Sequence, residues 1–392
     1  MPGIDPELKK WATARQAEII DTINELGSAY KASKSLGISK PAISQMMSAV
    51  KKKAAMAGYA PDEDMTHTAP SPYVVKGTST LYDADGNQKI QWVKTQLNKE
   101  GFEDAIKEWV TWLAEDARGK APPTPAPDHI AADLLSLYAI GDPHFGLYAW
   151  AEEAGDSFDL DKAEGLTTAA ITRLIASSPP SKKALILELG DLLHADDSKN
   201  QTPTSGHALD VDTRYAKVMQ VALRTLKNAI HCALEKHEEV EVWLIGGNHD
   251  PHSSFAISMC LAAFYEKEPR VKIDLSPAAF RYMRHGKVLI GSHHGHGVKL
   301  DGLPQIMAVD RGKDWGETQH RYWYCGHIHH ITRREFPGCL VETFRTLAAR
   351  DAWHSGKGYR AGRDMQLIVH HSEYGEVERH RADLAMIQGD VK

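Results

Sequence analysis

Five short clusters in this sequence set carboxylates, an amide and imidazoles at spacings from which neighbouring side chains can reach one ion. They are Asp142-Pro143-His144, Gly190-Asp191, Gly247-Asn248-His249-Asp250, His293-His294-Gly295-His296 and Gly326-His327-Ile328-His329. Two side chains two residues apart at a strand end project to the same side, so an Asp-x-His or His-x-His pair can hold one transition metal. Asp191 adds a carboxylate whose two oxygens and several lone pairs can bridge two cations. Asn248 adds an amide oxygen and His249 a further imidazole on a tight turn, and the adjacent glycines permit the close turns that such crowding requires. One such pair alone is ordinarily a surface or hydrogen-bonded core feature. Five clusters, each closing an apolar run, point to a metal centre. The fourth cluster offers three imidazoles, His293, His294 and His296, for one ligand role.

The elements that must bring these clusters together read as α/β layering. The apolar runs LLSLYAI, ALILELG, VEVWLIGG, KVLIGS and RYWYC each precede a cluster, with helical stretches at Asp161–Ala176 and Thr213–Lys236 between some of them. Open α/β sheets collect polar residues at strand ends in this way. Met365–Ser372 and Glu376–His380 flank a turn and predict a hairpin. Upstream, Ala121–Pro127 is rich in proline and predicts an extended spacer, preceded by a hairpin across Asp85-Gly86-Asn87 and a helix from about Phe102 to Ala117. Residues 14–57 read as helices broken at Leu36–Pro41, a helix-turn-helix pattern. Its second helix would offer Lys40, Ser44, Gln45, Lys51, Lys52 and Lys53 to a phosphate backbone. The domains expected are therefore 1–58, a helix-turn-helix-like head; 59–128, hairpin, helix and linker; and 129–392, the catalytic body.

Charge supports that division. The chain carries −6 overall, but residues 1–60 hold nine Lys/Arg against five Asp/Glu, a net +4 that leaves −10 for the remainder. A basic head on an acidic body suits a DNA-contacting module joined to a metal-binding one. Apolar runs are far shorter than the ~20 residues that cross a bilayer, and the start MPGIDPELKK lacks a signal-peptide pattern. No membrane partner and a cytoplasmic location are expected. Four widely spaced cysteines suggest neither a disulfide framework nor a thiolate zinc site.

The clusters D-P-H, G-D, G-N-H-D, H-G and G-H-I-H resemble the calcineurin-like metallophosphoesterase family over residues 134–380, nearest to its DNA-repair nuclease branch and to phosphoesterases encoded by bacterial viruses. The resemblance implies an α/β four-layer sandwich, two β-sheets between helices, here preceded by the small helical head. It implies Asp142, His144, Asp191 and His329 around one metal, and Asp191, Asn248, His294 and His327 around the other. His294 takes the fourth role because the family's ligand immediately precedes glycine. His249 would stand near the leaving group, steadied by Asp250.

The expected cofactors are two divalent ions, with Mn²⁺ favoured and Fe or Zn²⁺ compatible with the mixed oxygen and nitrogen donors. The expected chemistry is in-line attack on phosphorus by a metal-bridging hydroxide, with His249 as proton donor to the leaving oxygen. His194, His207, Arg345, Arg350 and Arg360 are candidate substrate contacts. Tyr359 and Arg363 belong to the same segment as the arginines, and the polar loop 196–212 to a lid. A DNA nuclease is the leading expectation. The alternatives are a nucleotide or protein phosphoesterase whose head serves assembly, and a non-enzymatic DNA-binding regulator.

Overall fold

The computed structural model describes residues 4–63, 65, 68–69, 73–83, 85, 88–97, 117–203 and 205–390. The chain divides into two compact units, Met1–Glu108 and Trp109–Lys392.

In the first unit, α1 (Ala14–Leu26), α2 (Ala29–Leu36) and α3 (Lys40–Met56) follow one another. Thr13 and Gln16 form a reciprocal capping box at the start of α1, which satisfies amide groups that a helix N-terminus leaves open. The sequence pattern placed one break in this segment; a second occurs at Gly27, where the backbone turns at φ 62°. Apolar residues three and four apart bury one face of each helix. Ile19, Ile23, Ala32 and Ile43 form one cluster, and Leu8, Ile20, Val50 and Ala54 another. Strands β1 (Tyr73–Tyr82) and β2 (Gln88–Leu97) make an antiparallel hairpin. Residues 86 and 87 of the expected turn, and 102–116 of the expected helix, lie outside the described residues.

The second unit begins with β3 (Ala131–Ile140), the short α4 (Ala151–Ala154), α5 (Leu160–Ser177), β4 (Ser181–Glu188), α6 (Tyr215–Lys236), β5 (Glu239–Leu244), α7 (Ser253–Phe264) and β6 (Val271–Ile273). It continues with β7 (Arg281–His285), β8 (Val288–Ser292), α8 (Leu303–Asp310), α9 (Gly312–Glu317), β9 (His320–Cys325), β10 (Thr332–Phe336) and β11 (Cys339–Thr343). Last come α10 (Ala352–Gly356), β12 (Asp364–His371), β13 (Gly375–Asp383) and α11 (Leu384–Asp390).

These strands form two sheets. One has six strands in the order β13-β12-β3-β4-β5-β6, parallel from β3 to β6; the other has five in the order β10-β11-β9-β8-β7, with β11, β9 and β8 parallel. Side-chain alternation decides what each face meets. Leu135, Leu137, Leu185 and Leu187 of the six-stranded sheet pack against Val288, Ile290, Tyr322 and Tyr324 of the five-stranded one in a single core. On the outer face of the five-stranded sheet, Leu289 and Trp323 pack against Leu303 and Met307 of α8. Helices α5 and α6 pack on the six-stranded sheet. The second unit is thus a mixed α/β assembly with two sheets face to face and helices outside.

Residues 121–127, expected as a spacer, run along the second unit. Ala121 N donates to Phe264 O (3.2 Å) and Arg270 Nη1 to Thr124 O (2.9 Å). Extended proline-rich backbone has no internal hydrogen bonds, so its carbonyls remain open to such donors. Among the described residues, no helix is long and apolar enough to cross a membrane.

Candidate metal centre

The parallel strands of both sheets deliver the clusters at their carboxyl ends. Asp142 follows β3, Asp191 follows β4 and Asn248 follows β5, whereas His294 follows β8 and His327 and His329 follow β9. Three groups of possible donors result among the described residues, Asp142/His144/His329, Asp191/His294/His327 and His144/His194/His249, each with its donor atoms within 4.8 Å of one another. In the first, His144 Nε2 lies 3.2 Å from His329 Nε2, which is itself 3.4 Å from Asp142 Oδ1. In the second, His294 Nε2 lies 3.1 Å from Asp191 Oδ2 and 3.2 Å from Asn248 Oδ1. His294 Nδ1 lies 3.9 Å from Asp142 Oδ1, so these two groups are contiguous.

The backbone is strained where these residues sit. Among the described residues, six other than glycine have positive φ, and five of them are Asp142 (42°), His144 (47°), Asp191 (55°), His327 (69°) and His329 (54°). Each costs ~1–3 kcal/mol, a strain that collects at functional sites because the surrounding fold must hold it in place. Two glycines show how closely the chain approaches. A Cβ on Gly190 would fall 2.3 Å from His294 Nδ1, and one on Gly247 would fall 2.0 Å from Asp191 Oδ1.

Of the three imidazoles in the fourth cluster, His294 faces the donors. Its Nδ1 donates to Leu189 O at 2.8 Å, which fixes the tautomer and leaves Nε2 as an acceptor or ligand. His293 instead stacks on Phe280 with centroids 4.7 Å apart, and its Nδ1 accepts from Gly295 N. His296 stacks on His293.

Electrostatics follow from burial and from the partners. Burial lowers His144 well below the ordinary histidine range, and neighbouring His249 and His329 lower it further. Burial and His249 likewise bring His194 down to about 3. Burial also pulls on His294, but the Asp191 carboxylate outweighs it and the imidazole goes up to about 9. Burial raises Asp191, and the attraction of His294 reverses this and holds it well below the usual carboxylate range. The donor set fits divalent cations on a further count: buried Asp142 Oδ2 has no hydrogen-bond partner among the described residues, an arrangement that costs free energy unless a cation or water occupies that direction.

The residues around the ligands divide sharply. His249 N donates to Asp191 Oδ1 and its Nδ1 to His194 O, both at 2.8 Å. Asp250, expected to steady the His249 ring, does not do so. Its carboxylate accepts from Leu193 N and Gly247 N, so it holds the two loops rather than the imidazole. The His194 carbonyl orients His249, and the His194 ring stacks on it at 5.3 Å.

The other expected substrate contacts scatter. Arg345 is paired with buried Asp364 at 2.6 Å, which takes up its charge. Arg360 is exposed and donates to the Ser355 and Tyr359 carbonyls. His207 is exposed on the 196–212 loop, which is tied down through Asp196 to Ser253 N (2.8 Å) and through Tyr148 N to Asp210 O (3.0 Å). Arg350 alone of the three expected arginines borders a pocket next to His329.

The sequence pattern did not single out Glu188. It is fully buried, burial and then Asp250 raise its carboxyl well above the usual range, and its Oε1 accepts from Gly190 N at 2.8 Å. A charged residue inside the apolar run ALILELG is the signal that could have found it.

No protein-family model and no curated protein matches this chain. Among solved structures it is similar to an uncharacterized protein from Streptococcus pneumoniae described as a predicted phosphoesterase (11% identity, covering 64% of this chain and 99% of that one, TM-score 0.26). It is also similar to Vps29 complexed with zinc from Entamoeba histolytica (14%, 63% and 98%, TM-score 0.26) and to a 5′-nucleotidase from Candida albicans (9%, 66% and 54%, TM-score 0.33). At TM-scores this low the likeness carries no weight for activity, and the site's own geometry must supply the reading.

Proposed function

We propose that this chain is a two-metal phosphodiesterase of the calcineurin-like metallophosphoesterase kind and that its substrate is DNA. The observation that carries the reading is the convergence of Asp142, His144, Asp191, Asn248, His294, His327 and His329 from both sheets, with five of the seven in left-handed backbone. Strain and burial on that scale are costly and are retained where a ligand set must be held ready. Oxygen and nitrogen donors without thiolate suit Mn²⁺, with Fe or Zn²⁺ as substitutes. Two such cations would supply Lewis-acid stabilisation of a phosphoryl oxygen and acidify water.

The chain's own groups do the rest. Asp191 stands where it can serve both donor groups, and the amide of His249 fixes one of its oxygens. With Nδ1 engaged by the His194 carbonyl, His249 keeps Nε2 for the oxygen of the departing alcohol. Asp250 and Glu188 hold the loops that carry His249 and Asp191.

DNA as substrate rests on the head. Lys40, Ser44, Gln45, Lys51, Lys52 and Lys53 are all exposed on α3. Gln45 and Lys52 lie opposite buried Ile43, Val50 and Ala54, while Lys40, Ser44 and Lys51 fall on one flank and Lys53 on the other. Lys51 is also paired with Asp62 at 3.3 Å.

Purified full-length protein incubated with Mn²⁺ should cleave both bis(p-nitrophenyl) phosphate and DNA, and lose both activities to a chelator. Lys40→Glu with Lys52→Glu should weaken DNA binding and reduce the slope of log affinity against log salt by about 2, one for each phosphate no longer neutralised. Cleavage of the small diester alone, with an unchanged salt slope, would favour a nucleotide phosphoesterase whose head serves assembly.

A further inference from the structure

A pocket of about 320 Å³ opens beside His329 between α4 and α10, walled by His354, Tyr359, Arg350 and Arg363. Its size is at the lower end of the ~300–1,000 Å³ range of small-molecule sites. His354 stacks on His329 with centroids 5.0 Å apart and planes 21° apart, and its Nδ1 donates to Asp351 Oδ1 at 2.7 Å. The metal centre and the pocket therefore share a wall. The wall is braced from the α4 side, where Arg350 Nη2 reaches Ala154 O and Ser355 Oγ reaches Glu153 O.

Two features of this rim go beyond bracing the wall. The first is aromatic exposure. Trp353 is 54% exposed; it meets His354 edge-on at 5.0 Å and lies tilted against Tyr359 at 5.9 Å, both of them lining residues of the pocket. Trp150, 57% exposed, lines a separate pocket with Glu153 and Ala352. Single exposed apolar residues are common, but an exposed indole packed against two rings of a pocket wall extends that wall as an aromatic surface. The second is charge. Arg345 and Arg363 are each paired with a carboxylate, Asp364 and Asp156. Arg350 donates only to the Tyr359 and Ala154 carbonyls, with no carboxylate in ion-pair range among the described residues. An uncompensated guanidinium at a pocket wall is suited to forked hydrogen bonds with phosphate.

We infer that this pocket is a subsite for one nucleotide unit of the substrate, its base lying against Trp353 and Tyr359 and the phosphate on its far side reaching Arg350. The inference rests on the phosphodiesterase reading of the adjoining centre and extends it from the scissile phosphate to the unit beside it. Planar aromatic faces next to an open guanidinium match a base and a phosphate joined by one sugar. Base–aromatic stacking tolerates any sequence, because every base has a π-face. A strand held this way must present an unpaired base at the pocket, so single-stranded DNA or a frayed end is the class of substrate that fits.

Calorimetric titration of the full-length protein with Mn²⁺ tests this, with inorganic phosphate, thymidine 5′-monophosphate and thymidine 3′,5′-bisphosphate as probes. The monophosphate should bind at least about tenfold more tightly than inorganic phosphate, within the range of one base–aromatic stack, and Trp353→Ala should remove most of that preference. The bisphosphate should bind more tightly still, and Arg350→Gln should remove that second increment. Equal affinity for the three probes, or Trp353→Ala with the wild-type preference, would overturn the subsite. Binding preferences as expected without hydrolysis of bis(p-nitrophenyl) phosphate would uphold the subsite and sink the proposed activity. Hydrolysis without these preferences would do the reverse.

Discussion

The two sheets of the second unit bring different chemistry to the same place. The six-stranded sheet supplies oxygen, from Asp142, Asp191 and Asn248, and the imidazole of His144; the five-stranded sheet supplies nitrogen alone, from His294, His327 and His329. The six-stranded sheet completes one group by itself, His144 with His194 and His249, but the other two groups need both sheets. Asp142 and His144 need His329, and Asp191 needs His294 and His327. The proposed two-metal centre therefore depends on sheet-on-sheet packing, and the core between the sheets is as much a part of it as its donors.

The largest effect should come from removing the carboxylate on which the second group depends. Asp191→Ala should lose metal and lower hydrolysis on the order of a thousandfold or more, and His294→Ala, from the opposite sheet, should do the same. Metal content and rate measured together check this. Retention of both metals in either variant would mean that one sheet suffices.

His249→Ala sharpens the comparison, because His249 follows β5 and groups with His144 and His194 on the six-stranded sheet alone, outside the two groups that span the sheets. It should keep its metal and slow hydrolysis by ~10²–10⁴-fold, the usual worth of a positioned acid. Metal loss equal to that of Asp191→Ala would make it a ligand instead.

A smaller effect should follow from the polar contact that crosses the core. Tyr324 of the five-stranded sheet and His370 of the six-stranded one meet at 3.0 Å, both fully buried. Tyr324→Phe leaves the His370 nitrogen without a partner and should cost about 1–3 kcal/mol in denaturant unfolding. An unchanged midpoint would mean that the sheets do not depend on this contact.

The smallest effect is in pH dependence. Burial lowers His370 to about 3, with His285 and Arg379 adding to it, and burial lowers His237 to about 4. In the unfolded chain both titrate near ~6.5. The folded state then binds fewer protons, so these groups' stability is complete above about 6.5 and is lost as pH falls towards 4. Thermal unfolding of metal-free protein should weaken over that window, and His370→Gln should show a shallower decline. A midpoint that stays flat from pH 7 to 4 would contradict the burial of these two groups.

Much of this site could be read in the sequence, because ligands at strand ends come in local clusters. Asp-x-His, Asn-His and His-x-His keep their meaning whatever the fold around them. Helices and hairpins with strong periodicity, such as Tyr215–Lys236 and the β12–β13 pair, were equally plain. What could not be read depended on partners distant in the chain. Arg345 is neutralised by Asp364, and Arg363 by Asp156, 207 positions away, whereas Arg350 has no carboxylate partner among the described residues. These three arginines look alike in sequence. Asp250 adjoins His249, yet its oxygens are taken by Leu193 and Gly247. Adjacency in the chain did not decide which group it served.

The most direct test of the account is where metal binds. Anomalous scattering from crystals grown with Mn²⁺ should show two ions per chain, one bounded by Asp142, His144 and His329 and the other by Asn248, His294 and His327, with Asp191 between them. Metal held by residues of one sheet alone, His293 or His296 in the place of His294, or no ordered ion at all would contradict a centre built by the meeting of the two sheets.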